Sequence, residues 1–520
     1  MLAGDLKMIR IGKEHQLFLD DYVIETTCNI DRRVCTVEKH RDNPLIAGIE
    51  GDWNPSLFGA VIPGDTSGYD MWYTSRIGER PTGVGAQLSV NYAVSEDGIR
   101  WRKPQNGPAA AGRGKPQAVF GTGFVEHFSE MYTVLRDHDE HDPGHRYKMV
   151  FKTKQRGEPS PYQKEIFSNH RTVLSDLEHR GLRDLASHYR TMISAALYLP
   201  TQKRAAGVAY SPDGIHWGEC DPFAIPAIGD LSHLTWDPYR KQYLIFARDF
   251  FLPEEIHARY GDTEWFREIF WGRAVRLYSS EDFVHWTPNE IVMHADIDDR
   301  PGDEIYSMAV FPYEGLYIGL VQMYHAFPGD NTLDVQLAVS RDAVCWHRVG
   351  NRETFLPLGG VGEWDRFNQS LASSPVMVGD ELRIYYGGRT WRHPALGKPY
   401  EGADSGPIWS GIGMAAVKRD RFVCLAASFD GGWVETPDLY LPEGRLHMNT
   451  ESRFGTLRVI VCDPEGRPLP GGQSRPVTED SLDSVVEWDT ITSLMEFTKG
   501  RPVRLRFELK NAKLYSFWID

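Results

Sequence analysis

Apolar and polar residues alternate over short stretches along most of the chain, the period-two pattern of strands buried on one or both faces. In order they read SLFGAVI, YDMWYTSR, MYTVLRD, RYKMVFK, KQYLIFARD, SMAVFPY, LYIGLVQMYH and ELRIYYGGR. Among them one short pattern recurs four times, Ser-x-Asp-x-x-x-Trp, as Ser95–Trp101, Ser211–Trp217, Ser280–Trp286 and Ser340–Trp346. In the first two copies an Asp-Gly step (Asp97-Gly98, Asp213-Gly214) predicts a type I′ hairpin turn, since glycine supplies positive φ freely. The last two copies carry Phe283 and Ala343 there. Each Trp sits at a fixed offset on the returning strand, where it can wedge between neighbouring sheets. A hairpin recurring in this way marks the blades of a β-propeller.

Upstream of each copy the order repeats: an acidic patch, an apolar strand, a turn, then a strand rich in Tyr and Met. Counting a fifth unit, whose last strand (GMAAVKRDRFVCL) lacks the Ser/Trp signature, predicts five blades. Two interruptions, about 160–191 and 253–270, space their apolar residues three to four apart and predict amphipathic helices. These inserts are either lids over the propeller face or a contact for a homo-oligomer. After about residue 427 the alternation becomes that of half-buried antiparallel strands. The expected organisation is all-β: a five-bladed propeller over 1–427 with helical insertions, then a C-terminal β-sandwich over 428–520. The opening QLFLDDYVIE reads as one strand packed on the propeller's edge.

Composition narrows the partners. A formal net charge of −15 on 520 residues argues against a nucleic-acid backbone or an anionic membrane and leaves a neutral ligand as the default. The six cysteines are scattered, without CxxC or metal-ligand spacing. No apolar signal region opens the sequence and no stretch of about 20 apolar residues occurs, which predicts a cytoplasmic protein.

The first strand of each propeller blade lines the central channel, so residues at its start converge on one mouth. A carboxylate stands at or near that point in every blade: Asp52, Glu126 or Glu130, Asp230, Asp303 or Glu304, and Asp365. One acid before a strand is usually a turn cap; five in register predict a site. Carboxylates crowded in a cleft push their pKa values apart, which separates an acid from a base, and glycoside cleavage needs such a pair. The second strands end on the same face with Arg76, Lys152, Arg248, Asp249, His325 and Arg389, groups that hold carboxylates ionised and donate to sugar hydroxyls. Trp53, Trp364 and Trp391 are candidate stacking platforms, with blade packing as the plainer alternative.

Acid-headed inner strands, the recurrent Trp hairpin and a C-terminal sandwich together resemble the five-bladed propeller glycosidases of families 32 and 43. That resemblance implies a glycosidase acting on a fructosyl- or arabinosyl-type furanoside. By position it makes Asp230 the general acid and Glu126 or Glu130 the auxiliary group. Blade one departs from the pattern, having Asn54-Pro55 where family 43 has Asp-Pro, so Asp52, or Asp20 or Asp21 from the opening strand, stands as nucleophile or base. Glu304, Asp303 and Glu126 would tune charge and bind hydroxyls. No organic cofactor is implied, though an oxygen-rich channel suits Ca²⁺. Two rivals stay open: a glycan phosphorylase, using Arg248, Arg389 and His325 for phosphate, and a non-catalytic carbohydrate-binding propeller. The run Asp137–His145 resembles a metal motif, but Pro143 and Gly144 forbid the helix it would need, so a solvated loop is expected.

Overall fold

The computed structural model describes residues 8–48, 53–65, 67–77, 87–104, 118–121, 128–156, 175, 178–181, 202–226, 232–251, 272–300, 302–326, 330–393, 410–489 and 494–520. The fold is all-β. Three successive four-stranded antiparallel sheets come first: 53–63 to 118–121, 128–136 to 220–226, and 232–237 to 287–293. A fourth unit starts at Asp303–Tyr313 and finishes with the short strands Trp346–Arg348 and Thr354–Leu356. The fifth has inner pieces Asn368–Leu371 and Val376–Val378, then Glu381–Arg389 and Ser410–Lys418.

Inner strands of successive sheets pack on one another from blade one through blade four, and blade five packs back on blade one. Among the described residues the strands of blades four and five pair at one parallel bridge, Leu333 to Asn368, and the two blades share one apolar core. The outer edge of blade five is supplied by the other end of the chain: Glu38–Lys39 pair with Ala416 and Ala415, and Ile46–Ala47 with Ile412 and Gly411. The ring is thus closed by non-covalent pairing between chain segments far apart in sequence.

The sandwich departs from the expected boundaries. Asp31–Val34 pair with Val423–Ala427, Thr26–Cys28 pair with Gly432–Glu435, and Gln16–Leu17 pair with Phe517 and Ser516, so both ends of the chain build it. The opening apolar run is not a strand on the propeller's edge. It forms a two-residue strand and then turns, with Phe18 and Val23 in the sandwich core and Leu17 and Leu19 in the core of blades four and five. Apolar residues on both sides of that segment reflect burial from both sides.

Of the helical inserts, Ser175, Glu178 and His179 are helical. Arg180 and Gly181 form a turn after them, and the remainder of 160–191 and all of 253–270 lie outside the described residues. In the Asp137–His145 run, Asp142 caps a short 3₁₀ turn over Pro143–His145. Asp137 and Glu140 hold the buried Lys148 ammonium at 2.9 and 2.8 Å, so part of this loop is an ion-pair socket.

The four Trp loops are not two-residue I′ turns. In the first, the bridge from Val94 to Arg102 closes over seven residues. The aspartate organises the loop: Asp97 Oδ1 accepts from the backbone N–H of Ile99 and Arg100 at 2.8 and 2.7 Å, and from Ser95 Oγ at 3.0 Å. The other copies repeat this pattern around Asp213, Asp282 and Asp342. A side chain that accepts from its own backbone two and three residues on favours such a loop over a tight turn. Trp286 meets Phe283 of its own loop edge-on at 5.4 Å, while the other three tryptophans meet a ring of a neighbouring sheet, as expected of wedges. Trp101 meets Tyr385 edge-on at 5.9 Å, Trp217 meets Phe120 at 6.4 Å and Trp346 meets Phe246 at 5.7 Å.

Candidate active site

Of the residues expected at the mouth, Asp52, Glu126 and Asp230 lie outside the described residues. For Trp53, Glu130 and Arg76 only the backbone is described, with Trp53 opposite Arg76 in blade one. The described part of the expected mouth is built by blades three, four and five, with Ser56 and Phe58 of blade one beside them.

Its centre is Glu304, the second residue of blade four's inner strand, 3 % exposed. Glu304 Oε2 accepts from the Arg273 backbone N–H at 2.9 Å and from Arg273 Nη1 at 2.7 Å. Two donors on one oxygen fix the carboxyl plane; among the described residues no hydrogen bond reaches Oε1. Room for this carboxylate depends on Gly272, the residue before Arg273. A Cβ there would lie 2.7 Å from Glu304 Cδ, and its φ of +151° is itself unfavourable for other residues. Burial works most strongly against the Arg273 charge, and Glu304 together with Tyr306 and Tyr324 outweighs it.

Around this pair stands an aromatic wall. The Arg248 and Arg273 guanidiniums lie 4.6 and 5.5 Å from the Tyr306 ring centre, and Arg273 lies 5.0 Å from that of Tyr324. His393 meets both tyrosines edge-on at 5.1 Å, and Phe58 of blade one packs into the same cluster across the ring. Guanidinium over a desolvated ring is favourable, and here it positions two cations in the seam between blades three and four.

Beside Glu304, Asp303 is engaged differently. His325 Nδ1 lies 2.8 Å from Asp303 Oδ1, while Nε2 lies 3.1 Å from Asp334 Oδ1, at ion-pair distance but poorly aligned for a hydrogen bond. Burial pushes His325 down, but these two carboxylates outweigh it and raise its pKa to about 9. Burial likewise pushes Asp303 up, and His325 with Arg300 hold it below the usual carboxylate range. An imidazolium cannot accept at Nδ1, so Arg300 Nη2, 2.6 Å away, makes a donor–donor approach there; its Nε hydrogen bond to Asp303 Oδ2 at 3.3 Å is the sounder contact. With a carboxylate at each nitrogen, His325 anchors the strand start rather than presenting a free cation.

Blade five's acid is also occupied. Asp365 Oδ2 accepts from Lys39 Nζ at 2.6 Å and Tyr386 Oη at 2.9 Å, which ties it to the ring closure. Trp364 is buried and stacked on Tyr386 at 5.4 Å, so it packs the blade and offers no sugar platform. Arg389 Nη2 donates to Ser56 Oγ of blade one at 2.9 Å, with its guanidinium 5.5 Å from the Trp391 ring. Among the expected residues the structure therefore gathers Glu304 and Arg248 in one seam, puts Asp303 and His325 at its edge, and assigns Asp365 to closure.

Arg273, Tyr306, Tyr324 and His393 were not legible as site residues. Tyr306 and Tyr324 read as ordinary strand aromatics, and Arg273 follows the 253–270 insert, away from any repeat landmark. His233, second in blade three's inner strand, was also missed. It is 1 % exposed, burial lowers its pKa to about 4, and among the described residues neither ring nitrogen has a hydrogen-bond partner. Its position three residues after Asp230 was the available signal.

Two open clefts, of about 740 and 460 Å³, lie elsewhere, one lined by Asp20, Arg32 and His347 and the other by His294, Asp296 and Arg352. Their principal charges are mutually paired, as in Arg348–Asp299 at 2.6 Å and Arg352–Asp296 at 2.6 Å, and neither cleft includes a mouth residue. Among the described residues no group of three His, Cys, Asp or Glu side chains is arranged to hold a metal ion.

No family model matches the chain, and no curated protein matches it in sequence. Among solved structures, it is similar to a protein described with the GH130 mannoside phosphorylase family, which contains hydrolases of β-1,2 mannosidic linkages in Candida mannan. The two share 14 % identity over 78 % of this chain and 96 % of that one, with a TM-score of 0.44. A glycosyl hydrolase from Bacteroides ovatus gives 13 %, 78 %, 97 % and 0.44, in the same order. An N-acetylgalactosamine deacetylase from F. plautii, bound to blood group B trisaccharide, gives 13 %, 79 %, 96 % and 0.41. At that similarity the architecture rests on this chain's own sheets, and the likeness carries no activity across.

Proposed function

We propose that the protein is a glycan-active enzyme that hydrolyses a furanosidic linkage, of fructosyl or arabinosyl type, at the propeller mouth. The observation that carries this reading is the Glu304–Arg273 pair: a buried carboxylate held by two donors on one oxygen, in a seam walled by Tyr306 and Tyr324. A carboxylate fixed in this way has its other oxygen available as a base, a nucleophile or a hydroxyl acceptor, the roles that glycoside cleavage asks of one of its two acids. Asp230 remains the proposed proton donor and Asp52 the proposed partner from blade one.

Phosphorolysis is the second reading, favoured by two guanidiniums on one tyrosine ring, the buried Arg248 and the half-buried Arg273. Aryl-furanosides and fructo-oligosaccharides, assayed with and without inorganic phosphate, separate the two. Hydrolysis predicts phosphate-independent turnover, and in Glu304→Gln a loss of at least about 10²-fold, the usual worth of a catalytic acid or base. Turnover that requires phosphate supports the second reading. Unchanged turnover in a folded Glu304→Gln removes Glu304 from the chemistry, and binding without turnover in the wild type makes the propeller a lectin-like module.

A further inference from the structure

The ring closes where the two ends of the propeller meet, and two thiols stand at that junction. Cys35 lies three residues before the strand that completes blade five, and Cys424 six residues after the strand it pairs with. The local ladder puts Val34 opposite Val423 and Arg33 opposite Cys424, and the Cys35 N–H donates to Phe422 O at 2.9 Å. Side chains alternate across a strand, so Cys35 and Cys424 share one face as diagonal neighbours. On that face they pack together with Ala426 and Tyr515. Cys424 is 2 % exposed, Cys35 is half-buried, and both are free thiols.

We propose that Cys35 and Cys424 are a dithiol oxidation site whose disulfide locks the propeller ring. The neighbouring Cys35 thiol is the largest influence lowering Cys424, burial opposes it, and Lys513 and Arg33 add cationic support. Cys424 is therefore the thiol that ionises first, and the thiolate is the nucleophile. The oxidant is hydrogen peroxide. Cys424 thiolate attacks one peroxide oxygen, the O–O bond breaks, and hydroxide leaves with a sulfenic acid behind. Cys35 sulfur then attacks that sulfur, the S–O bond breaks, and its proton leaves with the oxygen as water. The sum is two thiols and one hydrogen peroxide giving one disulfide and two waters. The bond would enclose every blade, turning a closure held by strand pairing and the Lys39–Asp365 ion pair into a covalent one.

The test treats the full-length reduced protein with one equivalent of hydrogen peroxide, alkylates the remaining thiols and maps the peptides by mass spectrometry. The expected product links the Cys35 and Cys424 peptides and leaves Cys28, Cys220, Cys345 and Cys462 alkylated. Because the loop is so long, oxidised protein should run faster on a non-reducing denaturing gel and melt a few degrees higher than reduced protein. Cys35→Ser, at the half-exposed position, should keep its fold, lose both shifts and trap a Cys424 sulfenic acid that dimedone labels. A disulfide between other cysteines, or Cys35 and Cys424 both alkylated after treatment, overturns the proposal.

Discussion

Loops two and three of the propeller solve one packing problem in opposite ways. Both hold the residue after the aspartate at positive φ, Gly214 at 74° and Phe283 at 63°. Over Gly214 lies the preceding blade's Trp72, whose Cζ2 would be 2.5 Å from an added Cβ and whose Nε1 donates to Gly214 O at 2.7 Å. At Phe283 the corresponding residue of the preceding blade is the smaller Val150, and Phe283 fills the space with its own ring, 5.1 Å from Tyr243 and 5.7 Å from Tyr210. Loop four is intermediate, with Ala343 packed in one cluster with Phe246. The pairs Trp–Gly, Val–Phe and Phe–Ala trade volume across the seam. What is kept constant is the filled space between blades; the turn residue's conformational ease is given up where that is necessary.

The sharpest way to break this comparison is to transplant one solution into the other. Trp72→Val leaves a ring-sized void and removes a buried hydrogen bond, at a cost of about 3–5 kcal/mol. Gly214→Phe drives a ring into Trp72 and should cost at least about 3 kcal/mol, as severe overpacking does. The double variant reproduces the Val150–Phe283 pair and should recover at least about 2 kcal/mol of the summed loss. Urea midpoints in a double-mutant cycle measure it. Additive losses would mean the pairs do not compensate.

Phe283→Ala tests the ring where it now stands. Removing a side chain that is 0 % exposed should cost about 3–4 kcal/mol, and Val150→Phe should restore part of it by refilling the seam from the other side. A loss below about 1 kcal/mol would show that the seam collapses around the gap.

These loops also show what could be read in advance. The Ser, Asp and Trp positions and the blade rhythm were visible because they are local, repeated and chemically constrained. The I′ turn was misjudged because Asp-Gly is only half of the signal; the aspartate's two backbone acceptor bonds set the loop size in all four copies, glycine or not. Closure was invisible for a different reason. Glu38–Lys39 and Ile46–Ala47 are too short to show a period, and their partners lie near the far end of the propeller. At the candidate site, the place of Glu304 at a strand start could be read in advance, whereas Arg273 and Tyr306 come beside it only through packing between blades.

The carboxylates common to all four loops give the next effect. Asp97 is held below the usual range chiefly by the Arg100 N–H. For Asp213, Asp282 and Asp342 burial pushes upward, and hydrogen bonds from the backbone, joined by His216 and His285 in loops two and three, outweigh it. A depressed folded-state pKa stabilises above the unfolded value of about 3.9 and is lost as pH falls through the folded one. Melting temperature should therefore drop below about pH 4. In Asp213→Asn the neutral-pH melting point should be lower and the acid drop shallower; an identical acid profile would remove loop two from the titration.

The smallest effect should be at Ala343, where the two costs nearly cancel. Ala343 sits at φ 61°, a conformation that costs a non-glycine residue about 1–2 kcal/mol, so Ala343→Gly relieves that strain. The same change removes a methyl that is 1 % exposed, worth about 0.8 kcal/mol of burial plus contacts with Phe246, and adds the entropy of a freer unfolded chain. The Asp342 acceptor bonds and the Trp346 Nε1 bond to residue 343's carbonyl at 2.9 Å are backbone features that the substitution leaves in place. Stability should shift by no more than about 0.5 kcal/mol in either direction, measured as a urea midpoint beside wild type. A gain above about 1 kcal/mol would mean that the methyl fills nothing and that loop four carries strain without compensation. A loss of that size would mean that the methyl fills a space in its seam that the neighbours cannot close, as the Phe283 ring does on a larger scale between blades two and three.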